Sequence, residues 1–466
     1  MRNHPISFRQ TSLIIFLILF SLSCQAVSII RHAASLSEAI VTPTSSISVV
    51  IGTPSPEFSL ISTTAPAPSF TQVPTVSPTI TVTPSAFQVK IFNELWQIVR
   101  DEYLYPDFNG LNWNSIYLEY SARIGAGLYP EEFYRSMDEM ISRLGDDHSY
   151  FLSPGQVIEE DAQFIGFHDY VGIGVLVSAV SDKEKAVVLV TIPGGPAEQA
   201  GLQSRDSILT VDGEPVLDNN GFLRDTIRGP EGSEVILTIQ TPGQEPRQVS
   251  LTRDRVTGPV PVPYQILYTT ANKRIGYIFM TGFADYNIDE QIREALEEMS
   301  TEAPLDGLIL DNRFNQGGIN TVLQSALSYF TSGEMGYFIS RFEERLFQVE
   351  GQNIGASQTI PLIVLIGQET ASYGEVFAGI LKDTQRAYLI GEPTAGNIET
   401  LWGYDFEDGS RAWLAYETFR PYHNPEDDWE STGIIPHQVV LCNWSEVTID
   451  NDKVLQSALV YLDLSE

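Results

Sequence analysis

Ser372 stands in "ETASYGEVFAG" (369–379), between the apolar run "PLIVLIG" and a stretch with helical spacing. A serine at such a junction has two uses: its oxygen can cap a helix by accepting an orphan backbone N–H, or it can attack a carbonyl. Attack needs a base, a group that orients the base, and backbone N–H donors for the oxyanion. Gly317 and Gly318 in "NQGG" lie just ahead of another helical pattern, where their N–H groups can approach a substrate carbonyl, and the amide of Tyr373 is the natural second donor. The dipeptide alone reads equally well as a tight turn. His148 in "DDHSYFLSP" occupies a polar loop after a helical segment, from which an imidazole can be presented to a neighbouring cleft.

These side chains need elements to position them. "GLILD" and "PLIVLIG" read as buried strands. Each precedes a loop and a helix, one packing Val322, Leu323, Leu327 and Phe330, the other Val376, Phe377, Ile380 and Leu381. The alternation over 257–466 predicts a layered α/β core. Loops leaving the carboxyl ends of such strands line the ligand crevice. Both the glycine pair and Ser372 fall there, which favours the nucleophile over the simple cap. "FEDGSRAWLAYETF" (406–419) predicts a hairpin turning at Asp408–Gly409.

Upstream, residues 87–160 carry helical stripes such as Phe92, Leu95, Trp96 and Val99, or Phe133, Met137, Met140, Ile141 and Leu144. Residues 161–256 change to short β-rich runs broken by Gly and Pro, among them "VGIGVLVSAV" and "EVILTIQT". Residues 25–86 form a Ser/Thr/Pro-rich tether, too polar and proline-rich to bury a core. Residues 1–24 read as a signal segment, with Arg2 and Arg9 ahead of "SLIIFLILFSLSC". The protein is therefore expected to be exported, either lipidated at Cys24, as in bacterial lipoprotein signals, or secreted, with membrane contact only through this segment. If Cys24 is lipidated or removed, Cys442 has no partner within the chain and no disulfide framework is expected.

The chain has 466 residues, 43% of them hydrophobic, long enough for several cores. Its 27 basic against 60 acidic side chains leave a net charge of −33, which excludes a phosphate backbone as a natural partner. The six histidines are scattered, with no H-E-x-x-H and no cysteine cluster, so chain spacing predicts no metal site and no cofactor.

Taken together, "LGDDHSYFLSP", "PGGPAEQAGLQSRDSILTVDGEPV", "ILDNRFNQGG", "TASYGEVFAG" and "GEPTAG" resemble the C-terminal processing peptidases, also called tail-specific proteases. The second of these stretches by itself resembles a PDZ domain. The resemblance implies an N-terminal helical cap, an inserted PDZ domain and a crotonase-like (ClpP/crotonase) α/β core. It implies that Ser372 is the nucleophile, with Gly317 or Gly318 and Tyr373 as the oxyanion hole. It also implies that the loop Gly172, Ile173, Gly174 and Val175 binds a peptide's terminal carboxylate. The best-known members use a lysine base after the glycine of a "G-x-x-T-x-G-K" stretch, but here "GEPTAGNIET" places Asn397 in that position. Lys382, on the helix after Ser372, reads as a solvated surface residue.

Related tricorn-core and chlamydial-type enzymes instead combine serine with histidine and a glutamate. "WESTGIIPHQVV" (429–440) matches their glutamate stretch at Glu430, Gly433, Ile434 and Pro436, while Ser431 and His437 depart from it. The resemblance thus assigns His148 as base and Glu430 as its orienting partner. A neutral imidazole, with a pKa of about 6.5, suits the task. The expected function is an exported serine endopeptidase acting on polypeptides, with C-terminal processing guided by the PDZ domain. A non-catalytic peptide or ligand binder on the same fold, and an esterase, are the alternatives.

Overall fold

The structure, a computed structural model, describes residues 85–465 apart from 147, 165–168, 181–183, 219–220, 222, 225, 258 and 449–450. The expected signal segment and tether lie outside the described residues, save that a helix, Ala86–Glu102, opens at the tether's last position. No helix among the described residues is long and apolar enough to cross a membrane.

The strands Gly307–Asp311 and Leu362–Ile366 are buried at every position, as continuous apolar runs in a parallel sheet must be when both faces are covered. They occupy the middle of a six-stranded sheet, ordered Tyr264–Tyr268, Arg274–Phe279, Gly307–Asp311, Leu362–Ile366, Tyr388–Gly391 and Gln438–Val439. The first pair is antiparallel and the remaining pairs are parallel. The period-two alternation of side chains then separates two cores. Leu308, Leu310, Val364 and Ile366 face the helices Ile288–Thr301, Asn320–Ser328 and Tyr373–Asp383. Ile309, Ile363 and Leu365 face the helix Lys453–Leu464. Burying each of these side chains stabilises the fold by about 2 kcal/mol.

The last helix is also held by charge. Arg313, 1% exposed, donates from Nε to Asp311 at 2.8 Å and from Nη2 to Asp452 at 2.7 Å. Asp452 in turn caps the helix by accepting from the amides of Val454 and Leu455.

A second sheet contains the strands Tyr150–Leu152, Arg411–Pro421, Gly333–Ile339 and Glu344–Val349, with Thr400–Asp405 paired to Arg411–Pro421. Phe338, Phe347 and Phe419 pack on the core helices, while Ala412, Leu414 and Ala415 pack against the three helices Ala86–Glu102, Trp113–Gly125 and Pro130–Ser142. The predicted hairpin is present, with Asp405 opposite Arg411 and Gly409 (φ +84°) in the turn.

The third sheet, Val175–Val180, Lys185–Thr191, Ser207–Val211, Glu234–Gln240 and Arg247–Thr252, encloses its own core around Ile173, Val188, Leu237 and Ile239. The run "VGIGVLVSAV" is not one strand. Gly174, at φ +75°, breaks it, so that Asp169–Gly172 pairs with Asp254–Thr257 and Val175–Val180 pairs with Lys185–Thr191.

Candidate active site

Ser372 follows the strand Leu362–Ile366 and directly precedes the helix Tyr373–Asp383. Its backbone is held at φ 52° and ψ −130°, a region that a residue with a Cβ enters only when its surroundings enforce it. The enforcing contacts are short. Ser372 N donates to the Asn397 carbonyl at 2.6 Å, and Ala371 N donates to the Asn315 carbonyl at 3.1 Å. In this conformation Ser372 Oγ caps nothing and makes no hydrogen bond among the described residues. The cap use is therefore absent.

Close approach requires glycine at both positions, Gly317 against this serine and Gly318 against the segment at Phe283. A Cβ on Gly317 (φ +85°) would lie 2.6 Å from Tyr373 N and 3.0 Å from Ser372 Oγ. A Cβ on Gly318 (φ +140°) would lie 2.3 Å from the carbonyl carbon of Phe283, with which Gly318 forms a parallel bridge. Gly317 N donates to Asn315 Oδ1 at 2.9 Å, and its carbonyl accepts from Phe283 N at 2.7 Å. The amides of Gly318 and Tyr373 make no hydrogen bond among the described residues. These two N–H groups, beside Oγ and at a helix N-terminus, are placed to receive a negative oxygen.

Gly317→Ala tests that pocket, because the added methyl would fill the space an oxyanion needs. Peptide turnover is expected to fall by about 10²–10³-fold. Stability should fall by more than the about 1–2 kcal/mol that the left-handed backbone costs, because the methyl also overlaps the Tyr373 backbone nitrogen. Steady-state kinetics and a thermal melt separate the two effects.

His148 is delivered by a pinned loop. Asp146 Oδ1 accepts from the amides of His148 and Ser149 at 3.1 and 2.9 Å, and the next strand, Tyr150–Leu152, pairs with Arg411–Pro421. The imidazole is buried, with Nε2 3.8 Å from Glu430 Oε1 and 4.0 Å from Glu399 Oε2. Glu430 Oε2 accepts from the Ile398 amide at 2.7 Å, and burial raises its pKa. With its side chain 27% exposed, Glu430 is not one of the freely solvated acids of the run "NPEDDWE". His148, Glu399 and Glu430 line one cleft of about 440 Å³ with Tyr105, Asn109, Gly396 and Asn397. The structure thus brings His148 and Glu430 together. Ser372 does not line that cleft; it adjoins it through the Asn397 carbonyl.

The loop between them is shaped by Glu375, which is fully buried, with its pKa pushed up by that burial. It accepts from the amides of Gly396 and Asn397 at 2.9 and 2.8 Å and from the Thr394 hydroxyl. Gly396 (φ +76°) is required because a Cβ there would lie 2.7 Å from the Glu430 carbonyl oxygen.

Sequence reasoning missed Glu399. One oxygen accepts the Tyr105 hydroxyl, and burial foremost, with help from Glu430 and Asp146, pushes its pKa up to about 8. Glu399 lies just ahead of the strand Thr400–Asp405, outside any helix or strand, and Ile398, Glu399 and Thr400 are all buried, so no periodic pattern could have found it. Lys382 is half-buried on the helix after Ser372, and no contact among the described residues joins it to the serine. Scattered spacing along the chain also gave no hint that His148, Glu399 and Glu430 bring one nitrogen and two oxygens within 4.8 Å of one another.

The loop predicted to bind a peptide terminus lies elsewhere. Gly172 ends its strand, Ile173 is fully buried, and Gly174 and Val175 lead into Val175–Val180, an edge strand. An apolar groove of about 500 Å³ runs from Ile173, Val175 and Val177 to Thr281, Ala284 and Asp285, the last two just past the Phe283 that bridges Gly318.

Residues 274–440 match peptidase family S41, residues 89–142 the tricorn protease C1 domain, and residues 187–241 the PDZ domain. The chain is 31% identical over 396 residues to the carboxyl-terminal-processing protease of Synechocystis sp., covering 81% of this chain and 88% of that one. It is 32% identical to the chloroplastic carboxyl-terminal-processing peptidase 2 of Arabidopsis thaliana, covering 74% of this chain and 67% of that one. Among solved structures it resembles a photosystem II D1 C-terminal processing protease, with 26% identity, a TM-score of 0.55, and coverage of 76% and 93%. Similarity that runs through most of both chains, together with a serine set against two open amides, means that this protein belongs to peptidase family S41 with the carboxyl-terminal-processing proteases, and is a serine-type peptidase carrying a PDZ domain.

Proposed function

We propose that the chain is an exported endopeptidase that cuts polypeptides near their C-termini through an acyl-enzyme on Ser372. The observation that carries this reading is the unbonded Ser372 Oγ beside the open amides of Gly318 and Tyr373. Ser372 Oγ attacks the scissile carbonyl carbon, and its proton passes to His148. The new oxyanion rests on Gly318 N and Tyr373 N. The tetrahedral adduct collapses as His148 returns the proton to the leaving amine, and water then hydrolyses the ester by the same route. Nε2 faces Glu430, so the opposite ring nitrogen, Nδ1, takes the serine proton while Glu430 orients the ring and stabilises its positive form. The Glu430 contact is longer than a hydrogen bond, and catalytic contacts commonly tighten only when substrate binds. Asn397 cannot act as the base, which leaves the imidazole as the group able to do so.

The division into a helical cap (87–160), a PDZ domain (161–256) and a crotonase-like core (257–466) is supported by the separate apolar core of the third sheet and by the central sheet's helix-facing core, while the cap helices share their core with Ala412, Leu414 and Ala415. In this reading the substrate's terminal carboxylate is held by the loop 172–175. The preceding residues add a strand to Val175–Val180, and the groove leads them toward Gly318. Polypeptides with free and amidated C-termini test this. The free form is expected to be cut faster by about 10–100-fold in kcat/KM, with internal cleavage sites mapped by mass spectrometry. Equal rates would remove the C-terminal reading, and absence of any Ser372-dependent cleavage would remove the catalytic one. Export rests on residues 1–24, and lipid attachment at Cys24 requires that metabolic palmitate labelling disappear in Cys24→Ala.

A further inference from the structure

No step of peptide hydrolysis needs Glu399, yet its carboxylate is 3% exposed and placed against the catalytic imidazole. Tyr105 satisfies one oxygen. The other, Oε2, has no hydrogen-bond partner among the described residues and lies 4.0 Å from His148 Nε2. A buried carboxylate oxygen without a donor is costly, and structures that keep one usually have a use for it. Here it shares its cleft with a second carboxylate, Glu430, 3.8 Å from the same nitrogen. Asp146 adds further negative charge close to Glu399, and no lysine or arginine among the described residues lines the cleft.

We propose that His148 Nε2, Glu399 Oε2 and Glu430 Oε1 form a binding site for one zinc ion, and that the bound ion holds the peptidase inactive. One imidazole and two carboxylates make a donor set that zinc accepts, with a fourth position left for water. Magnesium and calcium call for more oxygen ligands than this cleft offers. Tetrahedral zinc places its ligand atoms about 3.4 Å apart. Both distances from Nε2 therefore need to close by about half an ångström, and the two carboxylate oxygens, within 4.8 Å of each other, by at most about 1.4 Å, which side-chain rotations can supply. The fourth position opens onto the cleft bounded by Asn109, Gly396 and Asn397, which has room for water.

The inhibitory effect rests on the reading of His148 as the base. With Nε2 on the metal, the ring proton sits on Nδ1, the nitrogen that must accept the proton of Ser372, and Glu430 is withdrawn from orienting the ring. Removing zinc returns both groups to the relay. Asparagine at position 397 suits such a site, because the lysine carried there by related enzymes would bring a competing positive charge to the same cleft.

The test uses the full chain, stripped with EDTA and titrated with zinc chloride by calorimetry. One equivalent is expected to bind, and Glu399→Gln and Glu430→Gln, each checked for folding by thermal melt, are each expected to weaken it by about a hundredfold. Labelling of Ser372 by a fluorophosphonate probe should fall in step with occupancy and return on adding EDTA. Absence of saturable binding, or equal binding by both variants, which would place the ion elsewhere on the acidic surface, overturns the site. Saturation with undiminished labelling overturns the inhibition. If Ser372 fails to label even without zinc, the catalytic reading is what fails, and calorimetry still decides the site.

Discussion

Ser372→Ala is expected to lower peptide turnover by about 10⁶-fold, to the residual rate that binding and an oxyanion pocket provide without a nucleophile. The chain should remain folded. Ser372 Oγ makes no hydrogen bond among the described residues, and the backbone is held through the Ser372 amide and the Asn397 carbonyl, which alanine keeps. The melting transition should therefore shift by no more than about 0.5 kcal/mol equivalent. Peptide binding should persist, so that the variant retains substrates it cannot cut. Steady-state kinetics beside a thermal melt check this, and retained turnover would remove Ser372 from the chemistry.

His148→Ala is expected to cost about 10⁴–10⁶-fold in kcat, with added imidazole restoring part of the loss. The surroundings of the serine explain the size of the effect. Asn397 stands beside it and cannot accept a proton, no contact among the described residues brings Lys382 to it, and Glu375 spends its oxygens on the loop 394–397. A base is needed, and the imidazole in the adjoining cleft can supply one. In the proposed relay nucleophile and base act as a unit, so Ser372→Ala combined with His148→Ala should lose no more than Ser372→Ala alone. Additive losses would show that the two residues act separately, and an unchanged kcat in His148→Ala would assign the base elsewhere.

The parts of the site that depend on local rules were legible in the chain. "GLILD" and "PLIVLIG" are uninterrupted apolar runs, and such runs have to lie inside a sheet covered on both faces; the loop leaving the carboxyl end of each then falls at the crevice. That reasoning reached Ser372, Gly317 and Gly318 without knowledge of any contact. It also distinguished a stretch with stripes at helical spacing, a β-rich stretch and an alternating stretch, because each has its own periodicity.

Local rules could not say which glycine offers its amide. Asn315 takes the Gly317 N–H through a hydrogen bond, leaving that of Gly318 open. Nor could they find Glu399. It reads as one acid among many until folding buries it beside Tyr105, His148 and Glu430, residues that come from separate segments of the chain.

By its pattern of residue types alone the chain determined the layered core, the β-rich insert and a serine at a strand-to-helix junction, because hydrophobic periodicity and turn chemistry act over a few residues. Only the tertiary structure decided which amides stay open, which carboxylates face the imidazole and how deeply they are buried. Those properties come from contacts between segments separated by up to hundreds of residues, and both hydrogen bonding and charge depend on distance and on exclusion of water rather than on order in the chain.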